Sequence, residues 1–313
     1  MNIMDFTPEW IPQAQTLLQE SWAEERLHVP ALPEHTQPDL ASLTQRGLAV
    51  AAVEDGRLLG YLGAYGPWQP VFCTPDVSGV FSPLHAHAVQ KENRLRIWQR
   101  LYQAAAEKWV AAGAVSHAVA LFAHDREAQE ALYLYGFGVR CMDLIRPMEH
   151  LAAPAWRCRE LPAQEQAVLT PLRRRLAEHL APSPCFMVDP PEQVEAWLRR
   201  RLAQPPRAFV AEANGQIAAY MEVTAEGENY LSDTPGCMNI CGAYCLPEHR
   251  GTGAAQAVLA YMSATLRAEG FTRLGVDCES FNPTALGFWR KYFTPYTHSV
   301  VRRIDENVRN SSF

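Results

Sequence analysis

The sequence lacks an excess of either charge. Its 313 residues carry 28 Lys+Arg against 34 Asp+Glu, a formal net charge of -6, and without a clustered basic surplus the chain is not expected to wrap a nucleic-acid backbone. It also lacks any run approaching the roughly 20 apolar residues that span a bilayer. Its first residues, Met1-Asn2-Ile3-Met4-Asp5, have neither the basic region nor the apolar stretch of a secretion signal, so a cytoplasmic protein without a membrane partner is expected. There is no C-x-x-C. The eight cysteines (Cys73, Cys141, Cys158, Cys185, Cys237, Cys241, Cys245 and Cys278) are scattered and read as reduced thiols, with no disulfide scaffold and no metal site expected. Cys237, Cys241 and Cys245 recur every fourth residue, a spacing that in a strand lines up three small apolar groups on one face. What is present is apolar content: 48% hydrophobic against 20% charged residues excludes a disordered chain, and the length suits two domains.

The chain also repeats itself. Val50 to Tyr61 returns as Phe209 to Tyr220, two apolar runs around Asp55-Gly56 and around Asn214-Gly215. Both read as β-hairpins, because Asp-Gly and Asn-Gly supply the positive φ angles of a tight primed turn. An amphipathic helix ending at Gly113 matches one ending at Gly270. Asp125-x-x-Ala128 followed by Tyr135 parallels Asn282-x-x-Ala285 followed by Tyr292, and the offset drifts only from 159 residues at the hairpins to 157 here. The Pro-rich breaks His28 to Pro38 and Pro182 to Pro191 fall at the same stage of each half. The expectation is an α+β protein of two tandem domains, 1–150 and 151–313, each a mixed, mostly antiparallel sheet flanked by helices, joined near Met148 to Ala155.

The stretch Asn239 to Gln256 reads as a strand that runs through Pro247 into a glycine-rich turn and then a helix. Ala255, Val258, Leu259, Met262 and Leu266 form one apolar stripe, so that helix packs on the sheet and its first turn is fixed. Gly251 and Gly253 remove Cβ atoms where a ligand would approach, and the first-turn N–H groups with the positive end of the helix dipole suit an anion. Arg250 adds planar donors and Thr252 a hydroxyl. Neither nucleotide fingerprint fits: position 256 is Gln, which breaks G-x-G-x-x-G, and no Lys-Ser/Thr pair follows the glycines.

Arg250-Gly-Thr-Gly-Ala-Ala255 resembles the R/Q-x-x-G-x-G/A signature of the GNAT N-acetyltransferase superfamily. Cys245-Leu246-Pro247 stands where that family has V-x-P, and Asn282 to Trp289 where it has N-x-x-A-x-x-L-Y. The resemblance implies an acetyl-CoA site between two parallel strands that splay apart. The pantetheine chain would lie along Ala243, Tyr244 and Cys245, the diphosphate on Arg250, Gly251, Thr252, Gly253, Ala254 and Ala255, and Asn282 near the departing thiol. Asn282-Pro283 equally suits a plain helix start. It further implies direct transfer, with a backbone N–H, here that of Cys245, polarising the acyl carbonyl and no acyl-enzyme on the Cys245 side chain. The family's acid tyrosine is replaced by Trp289, whose indole cannot serve, so Tyr292, one helical turn on, is the candidate acid. Glu222, Asp277 and Glu279 are the candidate bases. Strand alternation puts Asp277 and Glu279 on one face, and Glu279 is the choice.

The offset sets Arg250 to Ala255 against Asn93 to Trp98, where the small residues have become bulky. The N-terminal domain is therefore expected to be a degenerate copy without a phosphate cradle. The resulting expectation is an acetyl-CoA-dependent N-acetyltransferase working in its C-terminal domain on a small-molecule amine rather than a peptide. A non-catalytic acyl-CoA sensor, or an interaction protein, is the alternative. Oligomeric state is not encoded legibly.

Overall fold

The two Asp/Asn-Gly pairs make the turns their chemistry demands. Asp55 and Gly56 adopt φ of 50° and 76°, Asn214 and Gly215 φ of 50° and 77°, the primed geometry whose twist matches that of the flanking strands. The computed structural model describes residues 1–72, 76–305 and 307–308; Cys73 lies outside them. The seven described cysteines are thiols.

In chain order the elements are β1 (Asn2–Asp5), α1 (Ile11–His28), β2 (Val50–Glu54), β3 (Arg57–Leu62), β4 (Tyr65–Trp68), β5 (Gly79–Ser82), β6 (His87–Val89), α2 (Arg94–Ala111), β7 (Ser116–Phe122), α3 (Arg126–Tyr133), β8 (Gly138–Pro147), β9 (Arg157–Leu161), α4 (Thr170–Leu180), α5 (Pro191–Ala203), β10 (Arg207–Ala213), β11 (Gln216–Thr224), β12 (Cys237–Cys245), α6 (Ala254–Ala268), β13 (Arg273–Glu279), α7 (Pro283–Trp289), β14 (Thr294–Pro295) and β15 (Thr297–Arg303). The fold is α+β. One unit comprises Met1–Met142 with Pro295–Phe313, the other Asp143–Thr294. The division at 150/151 expected from sequence keeps the last strand with the C-terminal half. In the structure β15 runs antiparallel to β7, Thr297 opposite Phe122 through Arg303 opposite Ser116, so it extends the first unit's run of strands β4, β5 and β7.

In the first unit β1, β2, β3 and β6 form an antiparallel sheet. One face packs on the α2 stripe Ile97, Trp98, Leu101, Tyr102, Ala105 and Trp109, the other on Ala14, Leu17 and Leu18 of α1. In the second unit β9, β10, β11 and β12 are antiparallel and β13 joins β12 in parallel. Leu161, Leu169, Ala208, Val210 and Tyr220 fill the face toward α4, while α6 buries Val258, Leu259, Met262 and Leu266. Asp125 and Asn282 cap α3 and α7 identically, each side chain accepting from the N–H three residues on, Ala128 at 3.0 Å and Ala285 at 3.2 Å.

Candidate active site

The site begins where a sheet opens. β12 and β13 pair only from Cys237/Arg273 to Ile240/Val276; beyond that the two strands part while β12 continues along β11. At that point β12 carries a bulge: Ile240 faces Val223 and Gly242 faces Glu222, with Cys241 the extra residue. Past the bulge the Leu246 N–H bonds to the Ala218 carbonyl at 2.9 Å. The alternation of an antiparallel ladder then turns the N–H groups of Ala243 and Cys245 away from β11, into the opening beside β13. Tyr244, between them, is half-buried, its ring 6.3 Å from that of His179.

The strand runs on into the glycine turn. Gly251 and Gly253 take φ of 78° and 89°, a left-handed region open to glycine, and α6 starts at Ala254. The Arg250 guanidinium lies over the Tyr244 ring at 5.7 Å, its Nε donating to the Cys245 carbonyl at 3.2 Å. The Thr252 hydroxyl donates to the His249 carbonyl at 2.7 Å, and the Ala255 N–H is turned toward the Cys245 sulfur. A Cβ on Gly251 would meet nothing within 4 Å, whereas one on Gly253 would stand 2.5 Å from Pro154 Cγ. The segment before β9 thus lies against the turn: Gln256 donates to the Ala152 carbonyl at 2.7 Å and the Trp156 indole to the Thr252 carbonyl at 3.4 Å.

The register puts Glu222, Gly242, Asn239, Gly275, Asp277 and Glu279 on one face, the face bearing α4 and α5. Glu222 is fully buried and paired with Arg173, itself fully buried. A carboxylate so enclosed is not placed to draw a proton from an incoming amine. Asp277 keeps an exposed side chain, yet the protein packed around it withholds hydration. With the Glu228 and Asp143 carboxylates close by, this pushes its carboxyl up to about 7. Glu279, half-buried, is a further neighbour. Asn282 is buried, its Oδ1 occupied as the N-cap of α7.

Trp289 is buried at the end of α7, 4.9 Å from the Phe288 ring and 5.5 Å from that of Phe293. The helix stops there. Tyr292 stands in the following turn rather than on the helix, half-buried, its N–H on the Trp289 carbonyl at 2.9 Å and its ring 5.1 Å from Phe288. The turn brings Phe293 to a buried place against Trp289. Burial raises the Cys245 thiol, as it does those of Cys241 and Cys237, the last to about 11. A protonated thiol is a poor nucleophile. Among the described residues no group of three or more His, Cys, Asp or Glu side chains is placed to hold a metal.

The equivalent opening in the first unit is filled. β5 pairs with β7 only from Gly79/Ser116 to Ser82/Val119, and β6 then runs along β3. Into the gap the buried His87 ring projects, its Nε2 2.7 Å from the Ala120 carbonyl of β7 and its centroid 5.0 Å from Trp98. Where the second unit has its glycine turn, α2 is already helical from Arg94.

Sequence reasoning missed Arg173 and Arg201, the polar residues of α4 and α5 that reach the sheet, because in a helix rich in arginine nothing distinguishes the one that points inward. It also missed the approach of Pro154 to Gly253, which only tertiary structure reveals.

Residues 174–293 match the acetyltransferase (GNAT) family, and the family assignment is confined to this segment. A GCN5-related N-acetyltransferase from Sphaerobacter thermophilus is similar over 96% of this chain and 95% of its own, at 15% identity and a TM-score of 0.58. A GCN5-related glucosamine N-acetyltransferase region of a fungal multi-domain GH3 beta-N-acetylglucosaminidase is similar over 96% of this chain and 38% of that one, at 12% identity and a TM-score of 0.52. At such identities the likeness is one of fold. No curated protein matches the sequence significantly. Among the described residues no helix is long and apolar enough to cross a membrane.

Proposed function

We propose that this protein is an acetyl-CoA-dependent N-acetyltransferase that uses its C-terminal domain on a small cationic amine. The observation that carries this reading is the parting of β12 from β13 immediately upstream of a glycine turn at the start of α6. The residues fit an extended thiol-bearing diphosphate: the opening offers strand N–H groups, and Gly251 leaves open space where a Cβ would stand. Ala243, Tyr244 and Cys245 would hold the pantetheine arm, Arg250 to Ala255 the diphosphate, and Asn282 would border the thiol end. Acetyl-CoA supplies the activated acyl group.

The chain's residues account for the remaining chemistry. The N–H groups of Ala243 and Cys245 donate to the acyl oxygen as charge develops on it. The acceptor nitrogen forms its bond to the acyl carbon as the carbon–sulfur bond breaks. Asp277, or Glu279 beside it, takes the proton that the ammonium gives up, and Tyr292 is the candidate donor to the thiolate. The group of Asp143, Glu228, Asp277 and Glu279 favours a cationic acceptor.

The test is release of free thiol from acetyl-CoA across a panel of polyamines, amino acids, aminoglycosides, amino sugars and peptides. Turnover with a small cationic amine is expected. A chain that binds acetyl-CoA and turns over none of them would instead be an acyl-CoA sensor. The buried Trp289, where the family has its acid tyrosine, favours that second reading.

A further inference from the structure

A bulge is a liability in a strand that must present backbone groups accurately. The extra residue leaves its own N–H and C=O outside the regular ladder, and a slip of one position reverses which way every later N–H points. In β12 the bulge at Cys241 comes directly after the last pair with β13. Its placement therefore decides whether the Ala243 and Cys245 N–H groups face the opening or face β11.

The bulge is gripped from α5. Arg201 Nη2 donates to the Cys241 carbonyl at 2.8 Å and Nη1 to the Cys241 sulfur at 3.0 Å. One planar guanidinium thus fixes main chain and side chain of the extra residue together, which a lysine cannot do. Arg201 is itself held, its guanidinium 5.7 Å from the Trp197 ring and its Nη1 3.8 Å from Glu222 Oε2. Glu222, fully buried on β11, accepts at Oε1 from Arg173 Nε at 2.9 Å, and Arg173 also donates, through Nη2, to Gln166 Oε1 at 2.9 Å. The next residue of the bulge is shaped to the same group, because a Cβ on Gly242 would stand 2.7 Å from Glu222 Oε2.

We propose that Arg201, backed by Glu222, is a positioning residue that locks the β12 bulge and so aims the N–H groups of Ala243 and Cys245 at the acyl carbonyl. This rests on the acetyltransferase reading above. Its grip is on the acyl end of the site, whereas the diphosphate turn at residues 250–255 is anchored by α6. Losing Arg201 should therefore disturb carbonyl polarisation without releasing the ligand.

The experiment uses the full chain and acetyl-CoA labelled with carbon-13 at the thioester carbonyl. Binding to the unmodified protein should move the carbonyl resonance downfield, the signature of hydrogen bonding to its oxygen. In Arg201→Ala and in Gly242→Ala the shift should be lost and kcat should fall by at least about tenfold, while the acetyl-CoA Kd stays within about threefold. Arg201→Lys, which keeps the charge and one donor, should fall between; if the alanine variant does not fold, the lysine variant carries the same comparison. A shift that persists in the folded Arg201 variant overturns the proposal. So does loss of shift and of affinity together, which would make Arg201 a general support. Failure of the unmodified protein to bind acetyl-CoA would instead refute the acetyltransferase reading from which the proposal starts.

Discussion

Asp277 offers the sharpest test of the chemistry. Its carboxyl is raised to about 7 by the surrounding protein first and by Glu228 and Asp143 next, so near neutrality it is half ionised. If it takes the acceptor's proton, kcat/KM must follow its ionised fraction. That fraction is about one tenth at pH 6 and about nine tenths at pH 8, so the rate should rise roughly tenfold between them. Asp277→Asn should lower kcat by about 10²- to 10⁴-fold and abolish this limb of the profile. Glu228→Gln removes the neighbouring carboxylate that acts most strongly on Asp277 and should move the limb to lower pH. Stability separates this from simple unfolding. The folded carboxyl lies above its ordinary value of 3.8, so ionising it costs stability as pH rises from about 4 through 7. Asp277→Asn should therefore be no less stable than the parent at pH 8. The assay is thiol release from acetyl-CoA at saturating cofactor across pH 5.5 to 9. An Asp277→Asn variant that keeps full rate and a limb near pH 7 would refute the assignment and leave Glu279, or water, as the base.

Titration calorimetry should find one acetyl-CoA per chain, since the first unit's opening is occupied by His87; two sites of similar affinity would contradict this. Arg250→Ala removes a charge-assisted contact of about 1.5 to 3 kcal/mol, so acetyl-CoA binding should weaken roughly ten- to a hundredfold, and unchanged affinity would place the diphosphate elsewhere. Burial lowers His87 to about 4 from 6.5; the neutral ring contributes stability fully present above pH 6.5 and lost as pH falls through 4, about 3 kcal/mol. Urea unfolding at pH 7 and pH 4.5 should show His87→Phe losing less stability in acid than the parent, and an equal loss would count against the burial argument. Tyr292→Phe should lower kcat with the acetyl-CoA Kd nearly unchanged; full kcat at every pH would make the hydroxyl structural.

What the sequence made legible was local. The hairpins at Asp55-Gly56 and Asn214-Gly215, the caps Asp125 and Asn282, and the turn at Gly251 and Gly253 each follow from a few residues whose backbone preferences act without help. What stayed hidden depends on partners far along the chain. The place of β15 beside β7 cannot be read from a strand pattern that any edge would satisfy. The Cys241 bulge exists only relative to β11, because an extra residue is extra only when counted against its partner. The spacing of Cys237, Cys241 and Cys245 suggested one uninterrupted face, and the bulge breaks it. A valine at Gly253, which the sequence suggests would collide with a diphosphate, would meet Pro154 first, so that substitution no longer isolates the ligand.

The two units also explain why a duplicated opening need not be a duplicated site. When parallel strands part, each leaves a row of backbone groups that must find other partners. In the first unit a side chain meets that demand: His87 reaches the Ala120 carbonyl and rests on Trp98, and both rings are buried. By strand register the place of His87, opposite Leu62, is taken in the second unit by Ala243, opposite Met221, and by the 157-residue offset that of Trp98 is taken by Ala255; neither has a ring to contribute. Neither alanine reaches across the gap, and Ala243 and Cys245 turn their N–H groups toward it. Under the proposed function, a sheet opened and stapled shut by its own imidazole would serve as a scaffold. On the same reading the second unit's opening, with a glycine turn and a helix start at its end, would take its missing partner from an extended ligand.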